Sequence, residues 1–227
     1  IDFLISRNCD ALIIHVEGLT DEYLIELSKG KTPIYFMSRI IPDLKENCIY
    51  LDNELGGYLA TKALIEHGHT NIAYIGGPQF KPDSQNRLTG HKRALSEYKI
   101  PFNDALYFEG DFKETGGKKG FKYFLNEKIH FTALVCANDE MASGAMTYAR
   151  EHDFSLPEDL SIIGFDNIIF SRHIYPKLTT INNPVDEMGK MAAKLVLKNI
   201  YHHEDLMINH SFDPALIERD SIAYLKK

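Results

Sequence analysis

Short apolar segments alternate with longer amphipathic segments along this chain, and this alternation limits its fold more than any other feature. An apolar run at 10–15 precedes a helical pattern from about Thr20, and a second apolar run follows at 33–37. Strand, crossover helix and strand form the repeating unit of a parallel sheet with helices on both faces. The alternation therefore predicts an α/β fold built from doubly wound parallel sheets.

The same pattern continues through the rest of the sequence. We predict a helix that is capped by Asp52 and ends at Gly68, a helix from Arg87 to Tyr98, and a long amphipathic helix at 186–201. Further strands are predicted at 48–51, 71–75, 105–108, 132–136 and 160–164. Each strand is followed by a helix or a turn, as parallel pairing requires.

Composition narrows the class of protein. With 227 residues, of which 44% are hydrophobic, the chain can form one large or two small domains with real cores. A formal net charge of -7 argues against direct nucleic-acid binding, because phosphate neutralisation needs clustered Lys and Arg.

Cys9, Cys48 and Cys136 are odd in number and far apart, so we expect small buried residues in a reducing compartment. No stretch resembles a membrane span or a signal peptide, so we expect a cytoplasmic protein without membrane contact.

Several patterns superficially suggest cofactor chemistry. Gly110–Lys118 lacks the spacing of a phosphate loop, and no Ser or Thr follows its lysine. His67, His69 and the pair at 202–203 have no Cys or carboxylate at ligand spacing, so we expect solvated surface histidines. No nucleophile elbow is present. We therefore expect no metal, no cofactor and no enzymatic activity.

An apolar strand at 161–167 ends abruptly in Gly-Phe-Asp-Asn. This ending places the carboxylate of Asp166 and the amide of Asn167 at the carboxyl edge of a parallel sheet, where open α/β folds bind small ligands. The segments 175–181 and 214–222 carry further motifs. Together these segments resemble the lactose/galactose repressor family, bacterial transcription regulators whose sensor half is similar to periplasmic sugar-binding proteins.

The resemblance implies a periplasmic-binding-protein-like fold with two lobes joined by a three-stranded hinge. Residues 1–52 plus 183–213 are expected to form the N-terminal lobe, and residues 53–182 plus 214–227 the C-terminal lobe. The first strand of a doubly wound lobe lies near the centre of its sheet. We therefore expect the N-terminal lobe to be truncated, with a strand-helix-strand unit before Ile1 in the real protein. The DNA-binding helix-turn-helix domain of the family is expected to be absent from this chain.

A sugar-binding site needs carboxylate acceptors, guanidinium or amide donors, and an aromatic wall. Asp166 is the best candidate acceptor, although it could instead cap the following turn. Arg87 matches the family's effector-binding arginine, and the alternative is an exposed helix residue. Asn138 is expected to bind the ligand, whereas Asp139 is expected to cap the helix that follows. Phe112 either packs against the ligand or fills the core.

His15, Ser38 and Arg39 end the first two strands of the N-terminal lobe. They are expected to reach the ligand from the opposite side of an interlobe cleft, although a packed, hydrogen-bonded histidine is the alternative for His15. These residues also resemble the galactose-repressor branch. The purine-responsive branch would carry Asp and an aromatic residue where Ser38 and Arg39 stand, so the resemblance implies a sugar effector, galactose or a relative.

The expected protein is thus the effector-sensing and dimerisation core of a transcriptional regulator. Ligand binding would change how a homodimer fits operator DNA, which a domain outside this chain would contact. The candidate dimer surface is Phe170–Tyr175 together with the helices of the N-terminal lobe, because this loop would otherwise expose three apolar side chains. The alternative is a periplasmic receptor that delivers sugar to a transporter.

Overall fold

A computed structural model describes residues 1–15 and 18–225. The strands, in chain order, are β1 (Leu12–Ile14), β2 (Ile34–Met37), β3 (Cys48–Leu51), β4 (Ile72–Gly76), β5 (Tyr107–Glu109), β6 (Ala133–Cys136), β7 (Ser161–Asp166), β8 (Thr179–Asn182), β9 (Ser211–Phe212) and β10 (Ala215–Ile217). The α-helices are α1 (Asp2–Ile5), α2 (Asp21–Ser28), α3 (Asn53–Glu66), α4 (Pro82–Glu97), α5 (Glu114–Asn126), α6 (Asp139–Glu151) and α7 (Val185–Tyr201). Short 3-10 helices lie at Pro42–Asn47, Asp104–Leu106 and Ile169–Arg172.

The chain divides into two compact units and passes between them at three points. The first unit comprises Ile1–Asp52 and Pro184–Asp213, and the second comprises Asn53–Asn183 and the segment from Pro214 onward. The passage predicted between 182 and 183 lies one residue later. Asn183 lies in the second unit, and its amide Nδ2 donates to Asp166 Oδ1 at 3.2 Å.

The first unit contains a four-stranded sheet in the order β1-β2-β3-β9, and every neighbouring pair is parallel. Its strands are rich in isoleucine, whose branched side chain suits a pleated, half-buried surface. Helix α7 packs on β2 and β3 and buries Met188, Ala192 and Leu195, as its apolar pattern predicted. The buried core of this unit includes Ile14, Leu24, Ile34, Phe36, Ile41 and Cys48.

The second unit contains a six-stranded sheet in the order β10-β8-β7-β6-β4-β5. Neighbouring strands are parallel except for β10 and β8, which are antiparallel. Successive residues of β4 point to opposite faces. The Tyr74 ring packs on His91 of α4, with 4.7 Å between ring centroids, whereas Ile75 lies against Gly120 of α5. Helices therefore cover both faces, and the predicted α/β fold with parallel sheets is confirmed.

The segment that follows β10 is attached to the same sheet by Ser221. Its carbonyl oxygen accepts from Ile162 N at 2.8 Å, and its hydroxyl donates to Ile162 O at 2.6 Å. The hydroxyl also accepts from Thr179 N at 2.8 Å. Strand β10 ends at Ile217, and Ser221 then bonds two strands of the sheet outside a regular ladder.

Helices α3 and α4 approach so closely that two glycines stand where no side chain fits. A Cβ atom at Gly57 would lie 2.0 Å from the carbonyl oxygen of Arg87, and a Cβ atom at Gly90 would lie 1.9 Å from that of Glu54. Both distances are far shorter than a van der Waals contact, so glycine is required at each position. This contact fixes the backbone of α4, which carries Arg87, against α3.

Two residues lie in surroundings that differ from the prediction. Cys9, predicted to be buried, is partly exposed, and its thiol donates to Leu4 O at 3.3 Å. His69, predicted to be a surface residue, is 3% exposed because its ring contacts Thr132 Oγ1 and Ala223 O, each at 3.0 Å. Burial lowers the pKa of His69, which favours the neutral imidazole.

Within residues 1–15 and 18–225, no helix combines the length and the apolar character needed to span a membrane. Over the same described ranges, no group of three or more His, Cys, Asp and Glu side chains is arranged to hold a metal ion.

Candidate functional site

Arg87 is buried at the carboxyl edge of the second sheet and is held by three hydrogen bonds. Its Nε donates to Asn53 Oδ1 at 2.8 Å, its Nη1 to Ala137 O at 2.5 Å, and its Nη2 to Asp166 Oδ1 at 3.5 Å. The guanidinium also lies over the ring of Phe165, with Cζ 3.6 Å from the centroid. Arg87 is therefore an oriented, buried cation, and the alternative of an exposed helix residue is wrong.

The helix that carries Arg87 starts earlier than predicted. It begins at Pro82, because proline suits the first helical turn and Lys81 supplies an extended N-cap backbone. Arg87 consequently lies in the second turn of α4. Its side chain reaches back toward the strand ends, as helical side chains lean toward the N-terminus of their helix.

Asp166 is the last residue of β7 and faces Arg87 with one of its two carboxylate oxygens. Oδ1 accepts from Arg87 and from Asn183, whereas no described residue donates a hydrogen bond to Oδ2. About a quarter of the side chain (24%) is accessible. Burial of the remaining surface raises the pKa of Asp166 against the opposing effect of the Arg87 charge. The structure therefore brings Asp166 and Arg87, two of the predicted site residues, together at one edge of the sheet.

Asn138 caps α6, and the capping role predicted for Asp139 is wrong. Asn138 has an extended backbone, its Oδ1 accepts from Met141 N at 2.9 Å, and its Nδ2 donates to Phe112 O at 2.9 Å. Asp139 is already the first helical residue, so its carboxylate turns away from the helix end and accepts from Thr180 Oγ1. Asn138 therefore connects the start of α6 to the backbone of Phe112.

The Phe112 ring stands beside the guanidinium of Arg87 and is only partly buried. Its centroid lies 5.9 Å from Arg87 Cζ and 5.1 Å from Lys81 Nζ. The ring packs on Gly77, where a Cβ atom would lie 2.2 Å from it. Of the two alternatives given by the sequence, an aromatic wall at the sheet edge fits this position better than a core residue.

The three predicted residues of the first unit lie at or just beyond the carboxyl ends of β1 and β2. His15 Nδ1 is 3.2 Å from Met37 O, and Ser38 N donates to Ile49 O at 2.8 Å. The guanidinium of Arg39 is engaged by α2 and the residues before it. Its Nη1 donates to Leu19 O at 2.8 Å, and its other nitrogens bond the carboxylate of Asp21.

Positive backbone φ angles occur at three of the seven predicted site residues. The values are +61° at Ser38, +63° at Phe112 and +106° at Asp166. Non-glycine residues rarely adopt this region, and such conformations cluster at ligand-binding positions where the surroundings enforce them.

The sequence analysis did not predict the residues that hold Arg87 and Asp166 in place. Asn53 and Asn183 orient Arg87 and Asp166, and Phe165 supports the guanidinium. Phe165 was part of the Gly-Phe-Asp-Asn motif, so its position next to the ligand edge could have been inferred. Nothing local in the sequence marks Asn53, which contacts Arg87 across 34 residues.

A carboxylate with an open oxygen lies beside a buried guanidinium at the carboxyl edge of a parallel sheet, the place where open α/β proteins bind small ligands. A family model described as a periplasmic binding protein-like domain matches residues 61–222. The HTH-type transcriptional regulator GalR of Salmonella typhimurium (strain SL1344) is 37% identical over 223 residues, which cover 98% of this chain and 65% of GalR. The chain thus spans less than two thirds of the length of this relative.

Solved structures identify the family. A sugar-binding LacI-family transcriptional regulator from Escherichia coli, complexed with phosphate, superposes with a TM-score of 0.93 at 29% identity, covering 99% of this chain and 81% of that one. A LacI-family regulator from Enterococcus faecium with bound ribose superposes with a TM-score of 0.85 at 32% identity, covering 99% and 83%. The chain belongs to the LacI family, the lactose/galactose repressor family that its motifs resemble. These relatives are transcriptional regulators rather than enzymes or transport receptors.

Proposed function

We propose that this chain is the effector-binding and dimerisation core of a cytoplasmic LacI-type regulator that senses a small sugar, galactose or a close relative. The observation that carries the proposal is the pair of Asp166 and Arg87, in which one carboxylate oxygen remains open beside a fixed guanidinium. The names of the relatives support it, since one is GalR and another was solved with bound ribose.

The proposed contacts follow from donor and acceptor capacity. Asp166 Oδ2 accepts from two neighbouring sugar hydroxyls, and the remaining N–H groups of Arg87 donate to ring or hydroxyl oxygens. Asn138 has one further N–H group, and the Phe112 ring packs on the C–H face of the sugar. A single carboxylate opposite a single guanidinium suits a neutral polyol.

For the first unit, we keep His15, Ser38 and Arg39 as proposed contacts to the same ligand. His15 and Ser38 carry polar groups at the strand ends. The Arg39 guanidinium already donates to Asp21 and Leu19, so only its remaining N–H groups would contact the ligand.

We propose that the effector acts by stabilising one state of the regulator over another, and its effect is limited by its difference in affinity for the two states. Operator DNA would be contacted by a domain outside these residues, since a formal net charge of -7 disfavours phosphate binding here. The proposed role is sensing, with no chemical turnover. Incubation with labelled sugar is expected to return it unchanged.

Asp166→Asn is expected to lower effector affinity by at least about 30-fold, because losing a charged hydrogen-bond partner costs about 2 kcal/mol or more. Calorimetric titration against a panel of D-galactose, D-ribose, D-glucose and hypoxanthine measures this effect. Arg87→Lys, which loses the planar fork of donors, is expected to show a similar loss.

Asp153→Asn provides the matched control, because Asp153 is exposed in the turn after α6 and already has the positive φ angle that Asn tolerates. Its affinity should equal that of the wild type. If Asp166→Asn and Arg87→Lys both fold and bind every panel member as tightly as the wild type, the proposed site is wrong.

The proposed dimer surface centres on the segment Phe170–Tyr175, and Ile169 directly precedes it. Ile169 and Tyr175 are 74% and 81% exposed, and Ile174 is partly exposed between them. Charges at Ile174 and Tyr175 (Ile174→Glu with Tyr175→Glu) are expected to convert a dimer to a monomer, as measured by light scattering. Tyr224→Glu is the control, since Tyr224 is similarly exposed (74%) on the segment after β10. An unchanged dimer in the double variant would remove this surface from consideration.

A further inference from the structure

Asp139 is a fully buried carboxylate that the proposed ligand contacts do not use. It lies at the start of α6, and its Oδ1 accepts from Thr180 Oγ1 at 2.5 Å. Its Oδ2 accepts from Ile168 N at 2.9 Å. The carboxylate passes directly over Gly164, where a Cβ atom would lie 2.2 Å from Oδ1. Asp139 therefore joins α6, β8 and the turn that follows the proposed ligand carboxylate.

The turn that Asp139 holds has a strained backbone. Asp166 and Asn167 have φ angles of +106° and +54°. Asn tolerates the left-handed region, but the angle at Asp166 persists only where neighbouring groups enforce it. Ile168 N is the first backbone donor beyond these two residues, so its bond to Asp139 fixes the end of the turn.

Asn167, in the middle of the turn, is held by hydrogen bonds of its own side chain. Its Oδ1 accepts from Arg219 Nη2 at 2.5 Å, and its Nδ2 donates to Asn182 Oδ1 at 2.9 Å. Arg219 is itself anchored, since its Nη1 donates to Leu178 O at 2.6 Å. The turn is thus enclosed between Asp139 and Arg219, and it has little freedom to relax while both contacts remain.

The charged and titratable groups that face Asp139 come from three elements. Asp166 lies at the end of β7, Arg219 follows β10, and the buried thiol of Cys136 ends β6. Burial raises the pKa of Asp139 to about 7, Asp166 adds to this effect, and the hydrogen bonds and Arg219 oppose it. Proton uptake would place a donor against Thr180 and weaken the acceptor for Ile168 N.

We propose that Asp139 is a positioning residue, which holds Asp166 for the effector through the 166–168 turn, and that proton uptake by Asp139 weakens effector binding. The inference rests on the proposed function, because it takes Asp166 as the ligand carboxylate. Arg219 supports the same turn without titrating near neutral pH. The consequence is a regulator whose response to sugar decreases as the surroundings become more acidic.

The test is a calorimetric titration with D-galactose between pH 6 and pH 8. Wild-type affinity is expected to fall about fivefold from pH 8 to pH 6, the lower end of the usual range for coupled sites. Asp139→Asn, which cannot titrate, is expected to bind about fivefold more weakly than wild type at pH 8 and to lack most of the pH dependence. An unchanged pH profile in Asp139→Asn overturns the proposal.

Thr180→Val gives a readout that a purely structural role would not move. The Thr180 hydroxyl lowers the pKa of Asp139, so its removal is expected to shift the midpoint of the pH profile upward. The amide resonance of Ile168 reports the same midpoint by NMR without any ligand, and this measurement decides the question if Asp139→Asn does not fold. A midpoint that Thr180→Val leaves unchanged overturns the inference.

The two proposals fail in different ways. If Asp166→Asn and Arg87→Lys both bind every member of the panel as tightly as the wild type, the proposed site is wrong. If Asp166→Asn abolishes binding while Asp139→Asn retains the wild-type affinity and pH profile, the site stands and only the role of Asp139 is wrong.

Discussion

Gly90→Ala is expected to destabilise the second unit by about 3 kcal/mol, at the upper end of the usual cost of overpacking. The new methyl group would lie 1.9 Å from Glu54 O and 2.6 Å from Tyr58 N, and both atoms belong to the backbone of α3. A side chain could rotate away from such a contact, but a helix backbone cannot. Relief requires α4 to move away from α3 and to carry Arg87 with it. Urea denaturation followed by circular dichroism measures the loss.

Gly189→Ala is the matched control for this experiment. Gly189 also lies within a helix, α7, but the nearest atom to its added Cβ would be Met37 Sδ at 3.9 Å, an ordinary contact. Alanine has the higher helix propensity, so this variant should be stabilised by about 0.5–1 kcal/mol. If Gly90→Ala were as stable as the wild type, the close contact between α3 and α4 would be wrong.

The stability of the second unit is expected to fall as the pH rises from about 4 to 7, owing to Asp139. The pKa of this carboxyl is raised to about 7 in the folded protein, whereas an unfolded aspartate titrates near 4. Between these values the folded state holds a proton that the unfolded state has released. Its stabilising contribution is complete below about pH 4 and is lost as the pH rises through 7, at up to about 1.4 kcal/mol per pH unit.

Comparison with Asp139→Asn isolates this contribution. Asp166, whose pKa is also raised, affects both proteins in the same direction. The difference in unfolding free energy, wild type minus variant, should decrease between pH 5 and pH 8 in urea denaturation. A difference that does not change with pH would show that Asp139 titrates normally. At pH 8 the ionised Asp139 therefore lowers the stability of the second unit while it holds the 166–168 turn. Functional positions commonly combine a role in activity with a loss of stability.

The sequence was most informative where apolar runs are long and end sharply. Burial of both sheet faces produces continuous apolar strands, so β4, β6 and β7 could be located from the alternation alone. The Gly-Phe-Asp-Asn ending also placed Asp166 at the end of β7, because the carboxyl end of a parallel strand is fixed at one edge of the sheet.

The supporting contacts could not be predicted, because their partners are distant in the chain. Arg219 reaches Asn167 across 52 residues, and His69 is buried by a contact to Ala223 across 154 residues. The wrong assignment of the α6 cap to Asp139 rather than Asn138 has a different cause. Both residue types are good N-caps, and a difference of one residue in the start of a helix decides which side chain faces the helix end and which faces the sheet.

The second unit has a discontinuous sequence, and this affects how the molecule can be made. Strand β10 completes its sheet, and Ser221 bonds that sheet through Ile162. Both come after residues 184–213, which belong to the first unit. On a ribosome that adds about 5–20 residues per second, the unfinished sheet would wait about 2–6 seconds for its last strand. During that interval the edge of β8 is unpaired, so a nascent chain at this stage is open to wrong strand partners and to chaperones.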